Sequence, residues 1–217
     1  LLLADGMKLV LLAQNRAGYG NLSAIITLGR RNADKGRYHL SRGDLARGVP
    51  ECLALWIPPA TPLAEDGRWL AAAFPARAWV AVERHLAPDD RERLAALRAL
   101  AAACGLPLVA AGDVHMHVRS RRPLQDVLTA LRLNVPVDAA GDALFANGER
   151  YLRPRARLAQ LYPAALLAES VRIAERCDFS LDELRYEYPE EVVPHGQAPA
   201  AYLRAEVGQG LRRRYPE

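Results

Sequence analysis

Four short apolar runs, at residues 8–13, 52–57, 78–83 and 107–117, alternate with stretches of helical spacing, and no other feature restricts the chain so strongly. A strand, helix, strand, helix order predicts an α/β chain of parallel strands with right-handed crossovers, whose functional groups gather at the strands' carboxyl ends. After the first run, residues 15–21 supply turn chemistry, and Leu22, Ile25, Ile26 and Leu28 give helical spacing up to Arg30 and Arg31. Residues 37–48 are polar, with Ser41 able to cap a short helical turn. Pro58 and Pro59 stop the second run, and residues 63–74 form the next predicted helix. The third run ends in Glu83, Arg84 and His85. Pro88 and Asp89 then open a helix with Leu94, Leu97, Leu100 and Ala101 on one face and Gly105 as its C-cap. Four strands cannot close a barrel, so a closed (βα) barrel of seven or eight strands would need others before Leu1. The opening Leu1-Leu2-Leu3, without an initiator Met, likewise suggests a chain cut from something longer.

The fourth run ends in chemistry. Residues 107–117 read Pro-Leu-Val-Ala-Ala-Gly-Asp-Val-His-Met-His, a buried strand delivering an acid and two imidazoles at its carboxyl end. If the extended conformation persists, Asp113 and His115 leave on one face, a hard oxygen and an imidazole that suit zinc or manganese. The alternative is a hydrogen-bonded turn in which Asp113 caps the following loop and both histidines are solvated. Further metal candidates are Cys52 on the second strand and Glu83 or His85 at the end of the third. Cys52 lies near the start of its strand, and a buried structural thiol is the commoner role for such a residue. His85, beside Arg84, reads as exposed, and Cys104 and Cys177 read as core residues of helices.

After His117 the composition changes. Arg119, Arg121 and Arg122 form a basic cluster that suits either a solvated loop or a phosphate contact, and Pro123 opens an amphipathic helix bearing Leu124, Val127, Leu128 and Leu131. Residues 135–153 have no sustained period and read as a linker, 163–177 as a helix, 179–196 as an extended loop and 199–214 as a final helix. The 217 residues, half of them hydrophobic, can bury a real core. No stretch approaches membrane length, and three widely spaced cysteines fit a reducing cytoplasm. The net charge of +4 permits a polyanionic partner without requiring one. There is no P-loop, dinucleotide fingerprint or nucleophile elbow.

Residues 9–22, Leu-Val-Leu-Leu-Ala-Gln-Asn-Arg-Ala-Gly-Tyr-Gly-Asn-Leu, resemble the strand and G-Y-x-N-L helix of bacterial DNA polymerase III alpha subunits. Residues 112–126, the stretch 186–191 and Pro194-His195-Gly196 resemble the error-prone branch of these C-family polymerases more closely than the replicative branch. The resemblance runs over essentially the whole chain. It implies the later part of a polymerase and histidinol phosphatase (PHP) domain, a partial (βα)7 barrel, over residues 1–135. Residues 136–217 would then be a linker and mainly helical extension leading into the palm. In the family a Cys on an internal strand and a late D-x-H help to build the barrel's metal cluster, which here match Cys52, Asp113 and His115 and would hold zinc or manganese. Earlier histidines of the family would precede Leu1, and Lys8 stands where metal-binding relatives often have another.

The resemblance further implies a cytoplasmic parent that extends DNA from dNTPs with magnesium, in damage-induced mutagenic synthesis alongside other replication proteins. Its catalytic aspartates would lie beyond Glu217, leaving this stretch a scaffold without polymerase activity. Two other roles are consistent with the residues. One is a metal-dependent phosphoesterase using Asp113, His115 and Cys52, and the other is a module that binds DNA or another subunit through its arginine clusters.

Overall fold

A computed structural model describes residues 1–185 and 193–216, with a compact unit over residues 1–181 and a second over 182–217. The first unit is built on one four-stranded sheet of order β1-β2-β3-β4, with β1 at Lys8–Ala13, β2 at Cys52–Ile57, β3 at Ala78–Glu83 and β4 at Leu108–Ala111. Helices α1 (Arg16–Arg31), α2 (Ala64–Ala73) and α3 (Asp90–Cys104) connect the strands, and α4 (Arg122–Leu133), α5 (Arg155–Leu161) and α6 (Ala164–Glu175) follow. The second unit holds α7, Pro199–Arg214. The stretch 186–191, part of the loop expected over 179–196, lies outside the described residues. No helix among the described residues is long and apolar enough to cross a membrane.

Local chemistry explains these boundaries. Asn15 caps α1 by accepting from the Gly18 amide at 3.0 Å. Gly105 ends α3 at φ +67°, where a residue without Cβ is unstrained. Along β2, Cys52, Ala54 and Trp56 enter one apolar cluster with Leu70, Phe74, Leu97 and Leu100, whereas Leu53 joins Trp79, Val109 and Ile173 in another. Strands covered on both faces read as continuous apolar runs, which is why they are legible without strict alternation.

β2, β3 and β4 are parallel, as the alternation predicts, but β1 pairs with β2 antiparallel, correcting the expectation of a wholly parallel sheet. The cause lies in the long β1–β2 connection. α1 carries the chain away from the end of β1, and Leu40 then accepts from the Ala4 amide beside the start of β1. Residues 41–51 run back, so that Gln14 N donates to Glu51 O at 2.9 Å and β2 begins beside the end of β1. A single crossover helix would have delivered the opposite polarity. In consequence Lys8, at the start of β1, lies opposite Ile57, at the end of β2.

The turn before α1 clasps the start of β2. Asn21 Nδ2 donates to Pro50 O at 3.0 Å, and a Cβ on Gly18 would lie 2.1 Å from Glu51 O. Gly20, two residues on, has open space around it. Gly18→Ala should therefore lower stability by about 1–3 kcal/mol through backbone displacement. Gly20→Ala should be neutral or raise it by about 0.4–1 kcal/mol. Urea melts of the two variants check the contrast, and equal effects would contradict the close approach.

Candidate functional site

The turn after β4 and the amino end of antiparallel β1, which pairs with the carboxyl end of β2, border one cleft of about 500 Å³ whose wall includes Lys8, Asp113, His115 and Arg150. β4 stops at Ala111, short of the strand expected through residue 117, because Asp113 turns the chain at φ +42°. Aspartate tolerates this left-handed conformation better than most residues. The amides of His115 and Met116 then both donate to Arg150 O, at 2.8 and 3.1 Å, and Leu152 N donates to Met116 O at 2.9 Å. The segment that receives the turn is thus 150–152, from the stretch read as a linker.

Asp113 and His115 meet although the strand does not persist, with Oδ1 3.2 Å from Nε2. The other Asp113 oxygen is paired with Arg150 Nη1, which also lies 3.9 Å from Glu83 Oε2. Arg150 stacks over the Phe145 ring at 4.5 Å. One guanidinium therefore sits between the carboxylates at the ends of β3 and β4. Burial raises the Glu83 pKa, and the positive charges of Arg150, Lys8 and Arg93 pull it down. Burial also lowers the Arg150 pKa, opposed by the Glu83 carboxylate.

Cys52 stands elsewhere. It is fully buried at the amino end of β2, its Sγ donates to Gly18 O at 3.3 Å, and burial raises its thiol pKa. The length of β2 separates it from the cleft, roughly 16 Å at about 3.3 Å per residue. Among the described residues no group of three or more His, Cys, Asp or Glu side chains is gathered as a bound metal would need. Asp113 and His115 are thus brought together and Cys52 is not, and Asp113 is already committed to a cation supplied by the chain. These three residues by themselves do not gather into a shell for zinc or manganese.

His85 is half-buried rather than exposed, because residue 147 packs over it: Asn147 Nδ2 donates to His85 O at 2.6 Å, and His85 Nε2 lies 3.1 Å from Gly112 O. Burial lowers its pKa. His117 is exposed. In the basic cluster, Arg119 pairs with Glu149 at 3.2 Å and Arg122 donates to Phe145 O at 2.8 Å, so two of its arginines hold the 145–149 segment in place. Tyr162 OH donates to Ala111 O at 2.8 Å and accepts from the Arg84 amide at 3.1 Å, tying β4 to the residue after β3. Arg150, Glu149, Arg153 and Tyr162 carry no sequence signal of this kind, since Arg150 finds Asp113 across 37 residues.

No protein-family model matches the chain. Its sequence is 61% identical over 217 residues to the error-prone DNA polymerase of Dechloromonas aromatica, covering 98% of this chain and 21% of that protein. It is 59% identical to the error-prone DNA polymerase of Azoarcus sp. and 58% to that of Methylococcus capsulatus, covering 99% of this chain and 21% of each relative. The chain matches one segment of the error-prone DNA polymerases. It spans about a fifth of the length of these relatives. The cleft at the strand ends is walled by Lys8 and Arg150 as well as by Asp113 and His115.

Two outcomes follow for the ion cluster. Arg150→Met leaves two partly buried carboxylates without their shared cation and should cost about 2 kcal/mol, read from denaturant melts. Glu83 has a folded pKa above its unfolded value, so its contribution to stability is full below the unfolded pKa and is lost as pH rises through the folded one. Glu83→Gln cannot lose that contribution. The Tm difference between Glu83→Gln and the unsubstituted chain should therefore grow in the variant's favour from about pH 4 to about pH 7. A flat or opposite trend would contradict the burial of the charge.

Proposed function

We propose that this chain is a non-catalytic scaffold segment of an error-prone DNA polymerase, whose parent extends DNA from dNTPs with magnesium during damage-induced mutagenic synthesis. The observation that carries this reading is the 58–61% identity to error-prone polymerases over 98–99% of the chain. On this reading residues 1–135 are the later part of a PHP-type (βα)7 barrel, with the remaining strands supplied by the parent. Residues 136–217 lead into the palm, with α6 packed on β4 and α5 against α6. The site is a former metal centre in which Arg150 supplies the positive charge between Glu83 and Asp113.

The phosphoesterase alternative needs a metal to activate water, with Cys52, Asp113 and His115 among its ligands. The distance of Cys52 from the cleft and the guanidinium on Asp113 count against it. The interaction-module alternative draws on arginines, and the engagement of Arg119 and Arg122 within the fold weakens it.

The test uses primed template, dNTPs and magnesium. The 217-residue chain should extend no primer, whereas a full-length polymerase carrying this segment should, and neither should hydrolyse p-nitrophenyl phosphate with added zinc or manganese. Extension by the chain alone, failure of the full-length protein, or metal-dependent phosphatase turnover would each overturn the proposal.

A further inference from the structure

Helix α4 leaves most of its apolar face to water. Leu124, Val127, Leu128 and Leu131, three or four residues apart and so on one side of the helix, are 51%, 42%, 52% and 70% exposed. Only Thr129 and Ala130 of the helix are buried. Single exposed leucines need no explanation, but a continuous stripe marks a surface that something covers. The stripe borders a groove, in which two hollows of about 340 and 500 Å³ share the side chains of His115, Gln125 and Leu128.

The groove has cations at both ends and apolar surface between them. Arg121 and Leu124 line the first hollow, Lys8 and Arg132 the second, and Leu128 both. From Arg121, just before α4, to Arg132 in its last turn the helix rises about 16 Å. The side chains of Arg121, Arg132 and Lys8 have no hydrogen-bond or ion-pair partner among the described residues, although the charge of Lys8 acts on Glu83. Asp113, the one carboxylate in either wall, is already paired with Arg150. An occupant that is apolar in the middle and negative at its ends meets what the groove offers. Single-stranded nucleic acid would need ring faces for its bases, and Phe145, the phenyl ring of the wall, already carries Arg150 at 4.5 Å and the His115 ring at 4.9 Å.

We propose that the α4 groove seats an acidic, apolar segment of the same polymerase from outside the span matched by this chain, its apolar side chains on Leu124 and Leu128 and its carboxylates on Arg121, Arg132 and Lys8. The inference rests on the polymerase reading, because the relatives carry about four-fifths of their length beyond that span. A segment joined to the same chain is present at high effective concentration, so it keeps the stripe covered whenever the parent is folded. A separate partner would leave the leucines bare each time it dissociated. Over about 16 Å the groove takes roughly five extended residues or three turns of helix.

The test places Leu128→Cys, at an exposed position, in both the 217-residue chain and a full-length polymerase carrying this segment, and follows maleimide labelling at position 128 by peptide mass. The introduced thiol should react at least about tenfold more slowly in the full-length protein than in the 217-residue chain. Adding Arg132→Glu should raise the full-length rate about threefold or more and leave the rate in the 217-residue chain unchanged, because only the full-length protein brings a carboxylate to that position. Equal labelling in the two proteins would overturn the inference, and where that full-length protein still extends primers the polymerase reading stands without it. Protection that Arg132→Glu does not relieve would overturn the acidic occupant. Slow labelling of the 217-residue chain that quickens on dilution would put a second copy in the groove and overturn the proposal as well.

Discussion

The end of the sheet that carries the cleft depends on one guanidinium. Arg150 reaches the carboxylates of Glu83 and Asp113, stacks on Phe145, and through its own carbonyl accepts from two amides of the turn after β4. Side chain and backbone of a single residue therefore fix where β4 ends and where its ligand-like residues point. Carboxylates brought together at strand ends repel one another unless a cation lies between them. Here the chain provides that cation, with Lys8 nearby on the first strand.

That arrangement rests on the polarity of β1. In a wholly parallel sheet Lys8 would lie at the far end, beside Cys52. The return of residues 41–51 reverses β1 and brings its first residue to the end where the other strands finish. The close approach of Gly18 to Glu51 is the other half of the same device, because it fixes the point at which the returning chain enters β2.

The residues 8–13, 52–57 and 78–83 were legible as strands because each is a run of side chains apolar on both faces, and Gly105 was legible as a stop because only backbone freedom is asked of it. The polarity of β1 was not legible, since it follows from where a polar connection of some twenty residues turns back, and no local period records that. Asp113 and His115 were found by type and spacing, though they meet through a left-handed turn rather than an extended strand. Cys52 was matched as a Cys on an internal strand, and the position near the start of that strand, legible in the sequence, is where the structure has it. Arg150, Glu149 and Arg153 lay in a stretch without hydrophobic rhythm. Their meaning comes from partners distant in the chain, such as Asp113.

A guanidinium between two acids also changes what the fold needs from its surroundings. A positive charge carried on Arg150 arrives with translation, in fixed stoichiometry, and requires no loading step after the ribosome has released the chain. It cannot be stripped by a chelator, exchanged for a wrong ion, or lost when a cell is starved of transition metals. The positive charge between Glu83 and Asp113 is thus put in place by folding.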